Sequence, residues 1–459
     1  MIDFTSGSPM KQILIFSIPL LLGNLLQNLF QVADTIIVGR FIGGTALAAV
    51  GSSMAVIMFL VSVLIGLTTG ASVVISQFFG ARKEEELKKT VATSMIAMAG
   101  FSVVLTILGV AGAGPILRLI GVEEIIFDDA LLYLRTLMAG VVFPVYLNVY
   151  MAYMRALGDS RSPMVILAIS AMLNVIFTIM FIVVFDWGMI GVGMATIVSQ
   201  GIGTLACVFI ASRKIPQLRL SPGDLKFDKK MFKLILTYGV PASVQLSITS
   251  LATLTVMRLV NSLGAVATAG FSAGVRAENF GLMPLMNLNL AISTFVGQNI
   301  GAGNEERAKI GLRSGMQLMI GIGSFGSVMM LILSPVLMGL FVSPYDINAA
   351  GIIYEGTLYL WTVSLFYVLF GIFFAFNGFF RGVGDQVIVM ILTISSLTIR
   401  AVLAHIFILV FGFGLDSLAW SIGVGWFICG SFAYFYYRAG RWKGKAAMSK
   451  IKEDSNEGK

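Results

Sequence analysis

Long apolar stretches alternate with short polar breaks along the whole chain. Twelve stretches can be marked: 12–38, 46–78, 91–112, 130–154, 163–185, 190–212, 234–260, 266–297, 314–341, 352–380, 387–411 and 417–437. Each reaches the ~20 residues that a helix needs to cross a bilayer. Several are longer, so tilting or bending is expected. A membrane-spanning strand would instead alternate apolar and polar residues over only about ten positions. Inside lipid a helix satisfies its own backbone groups. The pattern therefore predicts an all-α integral membrane protein with twelve transmembrane helices.

An even number of spans places both ends of the chain on one side. Of the 31 lysines and arginines, 25 fall in the N-terminal segment, in the loops after even-numbered spans and in the C-terminal tail. The loop after the sixth span carries Arg213, Lys214, Arg219, Lys226, Lys229, Lys230 and Lys233. The opposite loops hold Arg40 and Arg118, beside Glu123, Glu124, Asp128 and Asp129. By the positive-inside rule both termini are expected in the cytoplasm, with the protein in the cytoplasmic (inner) membrane. The opening MIDFTSGSPMKQ has no small-residue cleavage pattern, so the first span is expected to be retained.

The chain also repeats itself. MKQILIFSIP (10–19) matches FKLILTYGVP (232–241), SQFFGARKEEELKK (76–89) matches GQNIGAGNEERAKI (297–310), and MRALGD (154–159) matches FRGVGD (380–385). The matches are collinear, at offsets of 222, 221 and 226 residues. Each copy holds six spans, so both copies enter the membrane in the same sense. The expected architecture is two six-helix lobes related by a pseudo-twofold axis along the membrane normal. The lobes cover 1–212 and 234–437, joined by a cytoplasmic linker at 213–233 and followed by a basic tail at 438–459. Two such lobes can enclose a cleft that opens to either side, which is how a transporter is built.

Composition narrows the function. Of 459 residues 57% are hydrophobic and 12% charged, about half the ~25% charged content of soluble domains. A soluble enzyme, a disordered chain and a nucleic-acid binder are excluded. The formal charge of +8 is topogenic, so the bilayer and not a nucleic acid is the expected macroscopic partner. Cys207 and Cys429 lie in apolar stretches and make neither a disulfide framework nor a metal spacing. There is no G-x-x-x-x-G-K-[ST] for ATP and no H-E-x-x-H for zinc. No enzymatic activity and no cofactor are expected, and transport energy must come from an ion gradient or a partner. One charge crossing ~100 mV supplies ~2.3 kcal/mol. GVGD at 382–385 matches the G-x-G-D of intramembrane aspartyl proteases, but it recurs as ALGD at 156–159. A repeated turn with a helix-capping Asp accounts for both copies. Gly66 and Gly70 form a GxxxG suited to close helix packing.

Ionisable residues inside spans are costly and mark function. Those singled out are Asp34, Arg135, Arg258, Arg276, Glu278, Arg400 and His405. Asp34 lies 22 residues into the first span, about 33 Å along a helix axis. A carboxyl group there can exchange between a protonated form and one paired with a cation, as coupling requires. Arg276 and Glu278 are two residues apart and so point to different sides of their helix. Arg400 and His405 are candidate partners. Arg135 and Arg258 are close enough to span ends to snorkel. Methionines and aromatic residues in a cleft would suit organic cations.

NLFQVADTIIVGR (28–40), with the doubled motifs after the second and eighth and after the fourth and tenth spans, resembles the multidrug and toxic compound extrusion (MATE) family. The resemblance covers all but the tail. It implies twelve helices in two lobes and drug export in exchange for H⁺ or Na⁺. It places Asp34 in a polar cavity of the N-lobe and matches Gln27, Tyr133, Asn148, Asn174 and Thr196 to residues of that cavity. The chain departs from the pattern at Thr178, where many prokaryotic members have a second Asp. It departs again at Thr249 and about Phe370, where a branch that couples through the C-lobe is acidic. Glu278 is inferred here to stand in as the C-lobe acid, while the resemblance itself points to the branch relying on the N-lobe Asp.

The expectation is therefore a monomeric secondary antiporter exporting small amphipathic organic cations by alternating access. Asp34, Asn174 and Thr178 would serve cation coupling, with a Na⁺ site at Asp34 as one form of it. Gln27, Tyr133, Asn148, Thr196, Glu278, Arg276 and Arg400 would serve the substrate cavity. The rival readings are a lipid-linked glycan flippase of related architecture, favoured by cationic residues such as Arg276 and Arg400, and the intramembrane protease.

Overall fold

The computed structural model describes residues 1–450 except Pro344, Asp346 and Met448. Residues 451–459 of the basic tail lie outside the described residues. Among those described there are fourteen α-helices and no strand. They are α1 (Pro9–Phe41), α2 (Gly44–Gly80), α3 (Glu84–Leu119), α4 (Glu124–Ala139), α5 (Val142–Ala156), α6 (Arg161–Ile179), α7 (Gly188–Lys214), α8 (Lys229–Asn261), α9 (Ala265–Gly301), α10 (Glu305–Phe341), α11 (Ala349–Ser364), α12 (Tyr367–Val383), α13 (Gln386–His405) and α14 (Asp416–Arg438). Ten helical stretches are long and apolar enough to cross a bilayer alone. The pairs α4/α5 and α11/α12 pass only together, bent by 53° and 54°. The fourth and tenth stretches of the sequence are thus bent spans.

The two bends have different causes. Between α4 and α5 lies Gly140, and Pro144 sits in the first turn of α5, where its missing N–H costs nothing. Between α11 and α12 lie only Leu365 and Phe366. There the Ser364 carbonyl freed by the break accepts from Ser327 Oγ at 2.6 Å. The ring of Phe366 fills space that Gly423 leaves open, since a Cβ on Gly423 would meet that ring at 2.5 Å. A second feature recurs at matching places: α6 and α13 each run on into a π-helical turn, Met180–Val184 and Ile406–Val410.

The chain packs as two compact units. Unit 1 comprises Met1–Asp3 and Ile18–Ser243, and unit 2 comprises Phe4–Ser17 and Val244–Lys459. Compared with lobes at 1–212 and 234–437, the start of α8 packs in unit 1 and the start of α1 in unit 2. Glycine explains the first. A Cβ on Gly66 would meet the Ser243 backbone at 2.3 Å, and one on Gly70 the Gly239 backbone at 2.4 Å. The GxxxG of α2 therefore seats α8, and Ser243 Oγ donates to the Val63 carbonyl at 2.8 Å. Phe4 explains the second. Its ring is fully buried, edge-on to Phe16 and Phe295 at 5.2 and 5.5 Å. Arg307 donates to the carbonyls of Phe4, Ser6 and Gly7 at 2.6–2.9 Å.

In the 213–233 loop both carboxylates are engaged locally. Asp224 accepts from the Ser221 hydroxyl and N–H, which hold its carboxyl below the usual range. Asp228 caps α8 through the N–H groups of Lys230 and Met231.

Candidate functional site

Unit 1 gathers polar side chains from α1, α4, α6 and α7. Asp34, on α1, is half-buried, and its Oδ1 accepts from Thr178 Oγ1 at 2.8 Å. Thr178 is fully buried. One turn earlier on α6, Asn174 donates through Nδ2 to Thr196 Oγ1 of α7 at 3.3 Å. Residues four apart share a helix face, so α6 presents Asn174 and Thr178 side by side, one toward α7 and the other toward Asp34. Tyr133 is 5% exposed on α4 and lies within electrostatic reach of Asp34. A Cβ on Gly193 of α7 would meet Thr136 at 2.7 Å, so glycine is what allows α4 to close there.

Two matched residues are less closely joined to this group. Gln27 lies two turns before Asp34 on the same stripe of α1 and is exposed. Asn148 donates to the Pro144 carbonyl of its own helix at 2.8 Å.

Unit 2 holds a second buried carboxyl group. Glu278 of α9 is 7% exposed, and its Oε2 accepts from the Tyr359 hydroxyl at 2.8 Å. Small residues on α9 make this possible. A Cβ on Gly270 would meet the Gly356 N–H nitrogen at 3.0 Å, and one on Gly274 the Tyr359 ring at 3.0 Å. Tyr367, fully buried at the start of α12, lays its hydroxyl over Gly281, where a Cβ would meet it at 3.0 Å. Arg400 of α13 is within electrostatic reach of Glu278 and Tyr359. The Tyr367 hydroxyl and Arg400 Nε are buried without a hydrogen-bond partner among the described residues.

The other ionisable residues are placed elsewhere. Arg276 is exposed, whereas Glu278 on the same helix is buried. His405 bonds back through Nδ1 to the Ala401 carbonyl at 2.7 Å. Arg135 is exposed and donates to the Val110 carbonyl, and Arg258 is exposed near the end of α8. Thr249 donates to the Gln245 carbonyl of its own helix. Phe370 stacks on Phe374 at 4.0 Å and meets Trp426 edge-on.

The two G-D turns differ from expectation in one copy. Asp159 caps α6, accepting from the Arg161 and Ser162 N–H groups at 3.1 and 3.0 Å. Asp385 makes no such cap and instead accepts from the Tyr436 hydroxyl at 2.7 Å. The left-handed glycines before them, Gly158 at φ 89° and Gly384 at φ 97°, end α5 and α12.

Tyr359 and Tyr367 were absent from the residues singled out by sequence. A signal for Tyr359 was present: LYLRT (132–136) and LYLWT (358–362) match at an offset of 226 residues, the same as between the G-D turns. At that offset Tyr133 pairs with Tyr359 and Asn174 with Arg400.

Twelve apolar spans in a doubled six-span chain, with Asp34 set among hydroxyl and amide groups in one half and Glu278 beside tyrosines and an arginine in the other, define a membrane transporter. The sequence model of the MatE family matches twice, over residues 19–180 and 241–406. The chain belongs to this family, and each bent pair counts as one of the twelve spans of its two-lobed fold. The probable multidrug resistance protein YpnP of Bacillus subtilis (strain 168) is 31% identical over 444 residues, covering 96% of this chain and 97% of the relative. The probable multidrug resistance protein NorM of Thermotoga maritima is 27% identical over 449 residues, covering 96% and 94%. A crystal structure of MATE in complex with MaL6 superposes with a TM-score of 0.90 at 25% identity, covering 96% of this chain and 98% of that one. An outward-facing multidrug resistance MATE family transporter of the MOP superfamily shares the fold, with a TM-score of 0.89 at 24% identity. The protein is a multi-pass membrane transporter and not an enzyme, which removes the protease reading.

Proposed function

We infer that this multidrug efflux transporter exports small amphipathic organic cations in exchange for H⁺ or Na⁺, with Asp34 as the coupling carboxylate. The observation that carries the reading is the Thr178–Asp34 hydrogen bond of 2.8 Å beside the Asn174–Thr196 bond. It puts an acid among neutral oxygen and amide groups, with no fixed cation bonded to it among the described residues. Such an acid can take up a proton, or Na⁺ with Asn174 and Thr178 as further oxygen ligands. Binding of the ion and of the drug are linked through the conformations that favour each. Gln27, Tyr133, Asn148 and Thr196 would contact substrate in unit 1, and Glu278, Arg276 and Arg400 in unit 2. The transporter acts as a monomer in the cytoplasmic membrane with both termini in the cytoplasm, as its basic loops favour.

The flippase reading asks for cations grouped to hold phosphate. Arg276 is exposed while Arg400 lies by Glu278, so these two supply no such group.

The test is transport in proteoliposomes of purified protein, first under an imposed pH gradient and then under an imposed sodium gradient. Ethidium or tetraphenylphosphonium should move against its gradient under at least one of them. Failure of both gradients to drive either cation would overturn the reading.

A further inference from the structure

The geometry points to a second proton-binding site within unit 2, formed by Glu278, Tyr359, Tyr367 and Arg400, whose charge decides whether that unit tolerates an organic cation. The inference rests on the substrate class proposed above and adds a residue-level switch to it.

The first argument comes from the repeat. At the offset of 226 residues set by LYLRT/LYLWT and the G-D turns, Tyr359 occupies the place of Tyr133 and Arg400 that of Asn174. The π-helical turns that follow α6 and α13, at Met180–Val184 and Ile406–Val410, keep the same offset. The two clusters are thus built on corresponding positions of the two copies. Their acids are not: Asp34 aligns with Val256, and Glu278 with Ile57, at the offsets of the neighbouring motifs. A carboxyl group kept beside the same tyrosine position, but delivered from a different helix, is not a remnant of duplication.

The second argument is chemical. Glu278 uses one oxygen to accept from Tyr359, and the other has no hydrogen bond among the described residues. The Tyr367 hydroxyl and Arg400 Nε nearby are buried and unpartnered. Buried polar groups are ordinarily satisfied, and exceptions call for a ligand, water or ion. The arrangement disfavours a metal cation, because Arg400 already brings a positive charge within reach of Glu278. A proton is the ligand that fits. With Glu278 ionised, the cluster sums to zero and does not oppose a cation. With Glu278 protonated, Arg400 is left unopposed and the cluster carries +1, which repels one. Proton entry and cation departure are then two sides of one charge balance.

Other charged groups around α9 are few, and Arg381 of α12 sits in the last turn of that helix, about four turns from Tyr367. Glu355 of α11 lies at Gly270, two turns away from Glu278. On α10 the charges sit in the first three turns, and Met330 is what reaches Gly281. His405 of α13 is bonded to its own helix, and α14 carries Asp416 and Arg438 at its two ends.

The test uses the purified full-length transporter. Proton uptake by the substrate-free protein is read with a pH indicator, and tetraphenylphosphonium binding by calorimetry across pH. Glu278→Gln should remove one proton per chain from the uptake, independently of the one removed by Asp34→Asn. It should also weaken tetraphenylphosphonium binding about tenfold at alkaline pH, the cost of leaving Arg400 unopposed. Arg400→Gln should recover binding at acid pH, and Glu278→Asp, which keeps the charge, should retain the proton. Unchanged proton uptake in Glu278→Gln would overturn the site. If the proton is lost but cation affinity stays the same, the charge switch is overturned. If the wild type binds no organic cation, the substrate reading is what fails, and proton uptake still decides on Glu278.

Discussion

At the scale of single residues, the account turns on what a buried acid is given as neighbours. Asp34 was legible in the sequence because an acid within an apolar span is costly enough to need a reason. Its partner Thr178 was not legible from spacing, since the two are 144 residues apart and only the fold joins them. The family resemblance alone singled it out. Tyr359 lies outside the three collinear motif matches, and only the shorter LYLRT/LYLWT match pairs it with Tyr133. Asp385 was expected to cap a helix and instead accepts from Tyr436, since a turn motif fixes backbone shape and not what reaches the side chain from a distant helix. The Thr178–Asp34 bond gives a direct prediction. A hydrogen bond to a charged group contributes ~1.5–3 kcal/mol, so Thr178→Val, which keeps the shape, should move the pH profile of transport by about one to two units. An unchanged profile at normal expression would show the bond to be incidental.

At the scale of elements, length and hydropathy were enough to place every span, because a bilayer sets one requirement for all of them. Bends were harder. Gly140 and Pro144 mark the first in the sequence, but Leu365 and Phe366 give no sign of the second, which depends on Ser327 and Gly423 from other helices. Ser327→Ala should therefore leave the Ser364 carbonyl unsatisfied and cost ~1–3 kcal/mol, seen as a lower thermal midpoint in detergent. The glycines of α2 make a sharper case. Gly66→Leu should separate α8 from α2 and abolish folded protein on size exclusion, whereas the same change at Gly100, where a Cβ would meet nothing, should be tolerated. At the duplicated turns, Asp159→Ala should cost ~1 kcal/mol through loss of the α6 cap. Asp385→Ala should act through Tyr436 and leave the start of α13 intact, a difference that hydrogen exchange in α6 and α13 would resolve.

At the scale of the molecule, three collinear motif matches revealed the doubled design, and the family match over 19–180 and 241–406 follows the same two copies. That residues 4–17 pack in unit 2 and the first part of α8 in unit 1 depends on Phe4, Arg307 and the α2 glycines, whose contacts no periodicity displays. The copies have kept their scaffold, with bent spans and π-helical turns in matching places, and have diverged in chemistry. One carries an acid on α1 next to amide and hydroxyl groups, the other an acid on α9 next to tyrosines and an arginine. The central claim is that the first of these acids couples the ion gradient to export. The most direct measurement compares wild type with Asp34→Asn in proteoliposomes for tetraphenylphosphonium transport under the driving gradient, with the amount of folded protein matched. Loss of gradient-driven accumulation in the variant is the predicted result. Accumulation at the wild-type rate would contradict the account.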